Sequence, residues 1–71
     1  DPNVHRQVVE EIAAFAPGFG YCMTQVDFSP ITGPEGNIEY IAQLLPASDG
    51  VPQVTPERIL QVVQQAHATL D

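Results

Sequence analysis

The sequence predicts an α+β unit in the order helix, strand, strand, helix. Two segments open with a capping residue followed by proline and then repeat apolar residues every three or four positions, the period of one helix face. Between them, two segments alternate their side chains as strands do. The stretch joining those two is dense in Pro, Gly, Ser and Asn, which sets up an antiparallel hairpin.

The first helix starts at Asp1-Pro2, where an aspartate can cap free backbone donors and proline suits the first helical position. Val4, Val8, Ile12 and Phe15 form its expected buried stripe, and Pro17-Gly18 stops it. Tyr21 to Phe28 reads as a strand, with Cys22, Thr24, Val26 and Phe28 on one face and Tyr21, Met23, Gln25 and Asp27 on the other. Ile38 to Leu45 reads as its partner. Ile38, Tyr40, Ala42 and Leu44 share a face, and Glu39, Ile41, Gln43 and Leu45 share the opposite one, which is half apolar too. The connection from Ser29 to Asn37 is longer than an ordinary hairpin loop, a length more often found in functional or mobile loops. Pro46 to Val54 has the composition of an exposed linker. Thr55-Pro56 repeats the cap-plus-proline start, and Ile59, Val62, Val63, Ala66 and Leu70 make a clean helical stripe. Two strands alone are marginal in water, so the helices or another chain must cover them.

The 71 residues suffice for one small domain with a modest core. A single cysteine, Cys22, rules out an internal disulfide and fits a reducing, cytoplasmic setting. No apolar run is long enough to span a bilayer, no signal peptide is visible, and no membrane partner is expected. The start at Asp1 rather than methionine points to a trimmed chain. Arg6 and Arg58 are the only strong bases against nine acidic residues, for a formal net charge of -7. Phosphate binders carry a basic face, and this chain has none, so RNA affinity would have to come from residues elsewhere.

Ser29-Pro30-Ile31-Thr32-Gly33-Pro34-Glu35-Gly36-Asn37-Ile38-Glu39-Tyr40-Ile41 closely resembles the end of the catalytic domain in hemolysin-A-like proteins, relatives of the FtsJ-type ribosomal-RNA ribose methyltransferases. Asp1-Pro2-Asn3-Val4-His5 is similar to the family's helix start, and Val62 to His67 looks like its closing helix. The resemblance implies that residues 1–71 are the C-terminal part of a Rossmann-like α/β domain that binds S-adenosylmethionine and methylates a ribose 2'-hydroxyl of ribosomal RNA. The RNA-binding S4 domain and the cofactor-binding half would precede Asp1. The family surrounds the reacting hydroxyl with two lysines, an aspartate and a glutamate, and Glu39 matches the glutamate. With no lysine and no Gly-rich cofactor loop, this segment alone is expected to bind no cofactor and to be inactive. Nothing in the sequence supports membrane lysis, despite the family's name.

Methyl transfer to a hydroxyl needs the oxygen activated and held in line, and a lysine of lowered pKa can take or orient its proton. The resemblance gives Glu39 the supporting role of steadying that lysine; spacing alone reads it as a strand glutamate facing solvent. Ser29, Thr32 and Asn37 either line a ribose pocket or satisfy local turns. Glu35 at the loop tip reads as a solvated charge. His5 and His67 lie on separate helices without local metal partners and read as surface or capping residues, so no metal site is expected. Cys22 reads as a buried thiol rather than a nucleophile. A different class of function stays open, a small acidic interaction module working by strand addition or helix packing. Apolar stripes without a partner also point to a homo-oligomer.

Overall fold

Asp1 caps the first helix as its position predicts, its carboxylate accepting from the Asn3 backbone N–H at 2.9 Å with Pro2 opening the helix. The computed structural model describes residues 1–48 and 51–70. It comprises helix α1 (Pro2–Phe15), strand β1 (Tyr21–Phe28), strand β2 (Tyr40–Pro46) and helix α2 (Pro56–Leu70). This is the expected α+β order, and β1 and β2 pair antiparallel. A tight 3₁₀ turn, Ala16–Phe19, ends α1, and Gly20 at φ 83 supplies the left-handed step that turns the chain into β1. Thr55 starts α2, its Oγ1 accepting from the Arg58 N–H at 3.1 Å.

The core consists of Val9 and Ala13 from α1, Met23 and Val26 from β1, and Ile59, Val62 and Val63 from α2, with Phe28, Tyr40 and Val54 packed against it. Of the expected α2 stripe, Ile59, Val62, Val63 and Ala66 are buried and Leu70 is half-buried. The expected α1 stripe is not buried: Val4, Val8, Ile12 and Phe15 are exposed, and Val9, Ala13 and Ala16 are buried in their place. The apolar face of α1 is wide enough to offer two stripes. The inward one packs Val9 and Ala13 into the core and presents Ala13 O to the Gln53 amide.

The strand faces also differ from strict alternation. Met23 pairs with Leu44 and Gln25 with Gln43, so Thr24 is an extra residue, a β-bulge. Beyond it the alternation is reset, and Met23 and Val26, expected on opposite faces, are both buried. Thr24 Oγ1 donates to Gln43 Oε1 at 2.9 Å, which secures the bulge. Cys22 is half-buried rather than a core thiol.

The segment after β2 is not a free linker throughout. Ala47 N–H donates to Gly20 O at 2.7 Å, and Val54 N–H donates to Met23 O at 2.7 Å. The Gln53 amide bridges two elements: its Nε2 donates to Ala13 O at 2.9 Å, and its Oε1 accepts from Met23 N–H at 3.3 Å. Asp49 and Gly50, part of the same expected linker, lie outside the described residues. No helix among the described residues is long and apolar enough to cross a membrane.

Candidate functional site

The hairpin connection folds back on the start of β2. Ser29 N–H donates to Glu39 O at 2.8 Å, and Gly33 N–H donates to Asn37 O at 2.7 Å. These bonds close the loop at its base and again near its tip. Between them, a turn over Pro34–Gly36 is sealed by Asn37 N–H on Pro34 O at 3.2 Å. Glu35 takes φ 61 there, a left-handed conformation that costs a residue with a Cβ about 1 kcal/mol. Its carboxylate is exposed, as a solvated charge should be.

Glu39 is exposed, and its carboxylate lies over Gly33: a Cβ built on Gly33 would come 2.7 Å from Glu39 Oε2. Glycine therefore serves as the seat of this carboxylate. Ser29 and Thr32 are half-buried and Asn37 is exposed. The backbone bonds thus bring Ser29, Asn37 and Glu39 to one loop, with Thr32 beside the glycine seat. Ser29 Oγ also accepts from Ile31 N–H at 3.3 Å, which is turn chemistry. No ion pair to Glu39 occurs among the described residues.

The loop's end of the molecule holds a cluster that the sequence reading missed. His5 Nδ1 lies 3.0 Å from Tyr40 Oη and 3.1 Å from His67 Nε2. The His5 ring meets Tyr40 edge-on, with centroids 5.5 Å apart. All three residues are half-buried, so the histidines are not the surface or capping residues expected. The cause is the antiparallel course of the helices, which sets the start of α1 beside the end of α2. A signal was present: His5 stands four residues before Val9, and His67 four after Val63, each on a stripe that proves to be buried. Among the described residues no group of three His, Cys, Asp or Glu side chains is placed to hold a metal.

Elsewhere an open hollow of about 430 Å³ is lined by Val26, Phe28, Ala42, Val54 and Arg58 among others. An apolar trough of about 320 Å³ is lined by Ile12, Phe15, Ala16, Phe19, Tyr21 and Leu44. Neither contains Ser29, Thr32, Asn37 or Glu39.

The chain is similar to a segment of a larger methyltransferase-like protein. It is 39% identical over 72 residues to YqxC of Bacillus subtilis, named as a candidate rRNA methyltransferase, in a match covering 99% of this chain and 26% of that protein. A solved structure of a candidate hemolysin from Streptococcus thermophilus superposes with a TM-score of 0.83 at 39% identity, covering 97% of this chain and 25% of that one. No protein-family model matches. The chain therefore spans about a quarter of the length of either relative. The rRNA-methyltransferase and hemolysin terms of the sequence resemblance recur in these two proteins, and the helix–strand–strand–helix fold is shared across nearly the whole chain.

Proposed function

We propose that residues 1–71 are the closing part of the catalytic domain of an S-adenosylmethionine-dependent ribosomal-RNA ribose 2'-O-methyltransferase of the hemolysin-A-like, FtsJ-related kind, acting in the cytoplasm. The carrying observation is the match to YqxC over 99% of this chain at 39% identity. In this reading the cofactor pocket, the S4 domain and the lysines come from polypeptide ahead of Asp1. Glu39 steadies one of those lysines beside the reacting hydroxyl, and Ser29, Thr32 and Asn37 present polar groups to the ribose.

The surface favours such a setting. Ile41 is 62% exposed, Leu44 46% and Leu45 41%, although the apolar sequence of β2 suits a strand covered on both faces. In the described residues the sheet has two strands, so one edge of β2 is unpaired. The acidic balance favours the rival interaction-module reading, and in the present reading the RNA-binding charge belongs to other parts of the longer protein.

The test is rRNA methylation by the longer protein with Glu39→Ala. Removing a carboxylate that supports proton transfer is expected to lower the rate by about a hundredfold. Wild-type activity in the variant would remove Glu39 from the site. Beside that balance and the missing lysines, the interaction-module reading has the apolar trough beside α1 in its favour. It predicts that residues preceding Asp1 encode neither a Gly-rich turn after a strand nor a strand bearing lysine.

A further inference from the structure

We propose that Tyr40, His5 and His67 are positioning residues: their hydrogen-bonded chain fixes the first residue of β2 and so the direction in which Glu39 faces the loop. The inference rests on the role of Glu39 proposed above and adds the groups that orient it.

Neighbouring residues in a strand project to opposite faces. Glu39 lies just ahead of β2 rather than in it as expected, but its carbonyl still pairs with Ser29 N–H, so the alternation extends to it: Tyr40 packs its ring against the core and the Glu39 carboxylate lies the other way, over Gly33. A phenylalanine could fill the same space. What the tyrosine adds is a hydroxyl, and that hydroxyl meets His5 Nδ1 at 3.0 Å. His5 in turn meets His67 at 3.1 Å, so one chain of contacts ties β2 to the start of α1 and the end of α2. Helix ends fray unless tied down, and here the end of α2 meets His5 while His5 meets Tyr40 of the strand.

Two charged side chains on α1 near the cluster have contacts of their own. From α1, the Asp1 carboxylate caps Asn3 and Arg6 pairs with Glu10 at 3.6 Å. Glu39, just before β2, is turned to the loop, and α2 brings His67 to the cluster. His5 Nδ1 offers a single hydrogen or a single lone pair to two neighbours, so its state depends on both. The cluster thus couples both helices to the base of the loop, where Ser29 N–H bonds the carbonyl of Glu39 at 2.8 Å.

Amide hydrogen exchange and imidazole 15N shifts of the chain test this. Tyr40→Phe is expected to move the His5 Nδ1 signal and to speed exchange at Ser29 by about tenfold, the equivalent of one hydrogen bond of ordinary net strength. Exchange at Val54, whose amide bonds Met23 at the other end of the hairpin, should stay as in wild type. His67→Gln, which can still place a donor near His5, should preserve slow exchange at Ser29, and His67→Leu should lose it. Unchanged Ser29 exchange in Tyr40→Phe, equal acceleration at Val54, or identical behaviour of the two His67 variants would overturn the proposal. These readouts need neither RNA nor a methyl donor. They can therefore fail while Glu39→Ala still abolishes methylation, and hold while it does not.

Discussion

At the scale of single residues, Gly33 separates stability from function. Its φ of -78 is open to any residue, so alanine there meets no backbone strain. Its methyl group would still collide with the Glu39 carboxylate, the movable end of a flexible side chain. Gly33→Ala is thus expected to leave unfolding free energy within about 0.5 kcal/mol of wild type while displacing the carboxylate. In the longer protein, methylation should then fall toward the level of Glu39→Ala. Full activity with a displaced Glu39 would argue against its role. Gln53 behaves in the opposite way. Gln53→Ala leaves Ala13 O and Met23 N–H without their side-chain partner and should cost about 1–3 kcal/mol in urea unfolding, with no direct effect on the loop. The two residues also differ in how legible they were. Gly33 and Glu39 sit in one local motif, and the motif drew attention to both. Gln53 bonds two backbone atoms on other elements, and no local pattern in the sequence points to that.

At the scale of elements, the sequence period located both helices and both strands but mistook two faces. On α2 a single apolar stripe was available, and that stripe is buried apart from the half-buried Leu70. On α1 two stripes compete, and periodicity weighs side-chain size where packing buried Val9, Ala13 and Ala16. On β1 a bulge at Thr24 shifted the alternation, and an inserted residue leaves no mark on composition. The stripe assignment is open to direct test. Val62 is 1% exposed, and Val62→Ala should destabilise by about 2 kcal/mol through lost burial and the cavity left behind. Val8 is 49% exposed, and Val8→Gln should change stability by no more than about 0.5 kcal/mol. Comparable losses at the two positions, measured by chemical denaturation, would mean that α1 buries the stripe its larger residues mark.

At the scale of the whole molecule, the sequence pointed to apolar stripes without a partner within the chain, though not to where exposed apolar surface would lie. The structure locates it. Phe15 is 67% exposed and Phe19 77%, beside Ile12, Tyr21 and Leu44 in one trough, and Ile41 and Leu45 of β2 are exposed as well. Contiguous apolar surface with a free strand edge promotes association, and a charge of -7 opposes it through repulsion between copies. Salt decides between these terms: it shortens the reach of repulsion to about 8 Å at physiological ionic strength and leaves apolar burial intact. The chain by itself is therefore expected to associate in sedimentation, and more strongly as salt rises. Phe15→Ser combined with Phe19→Ser should shift the equilibrium toward monomer without unfolding the chain, since neither side chain belongs to the core. Association that weakens with salt would identify ionic contacts as its cause, and a monomer at high concentration in salt would show that the trough and strand edge are too small to hold two copies together.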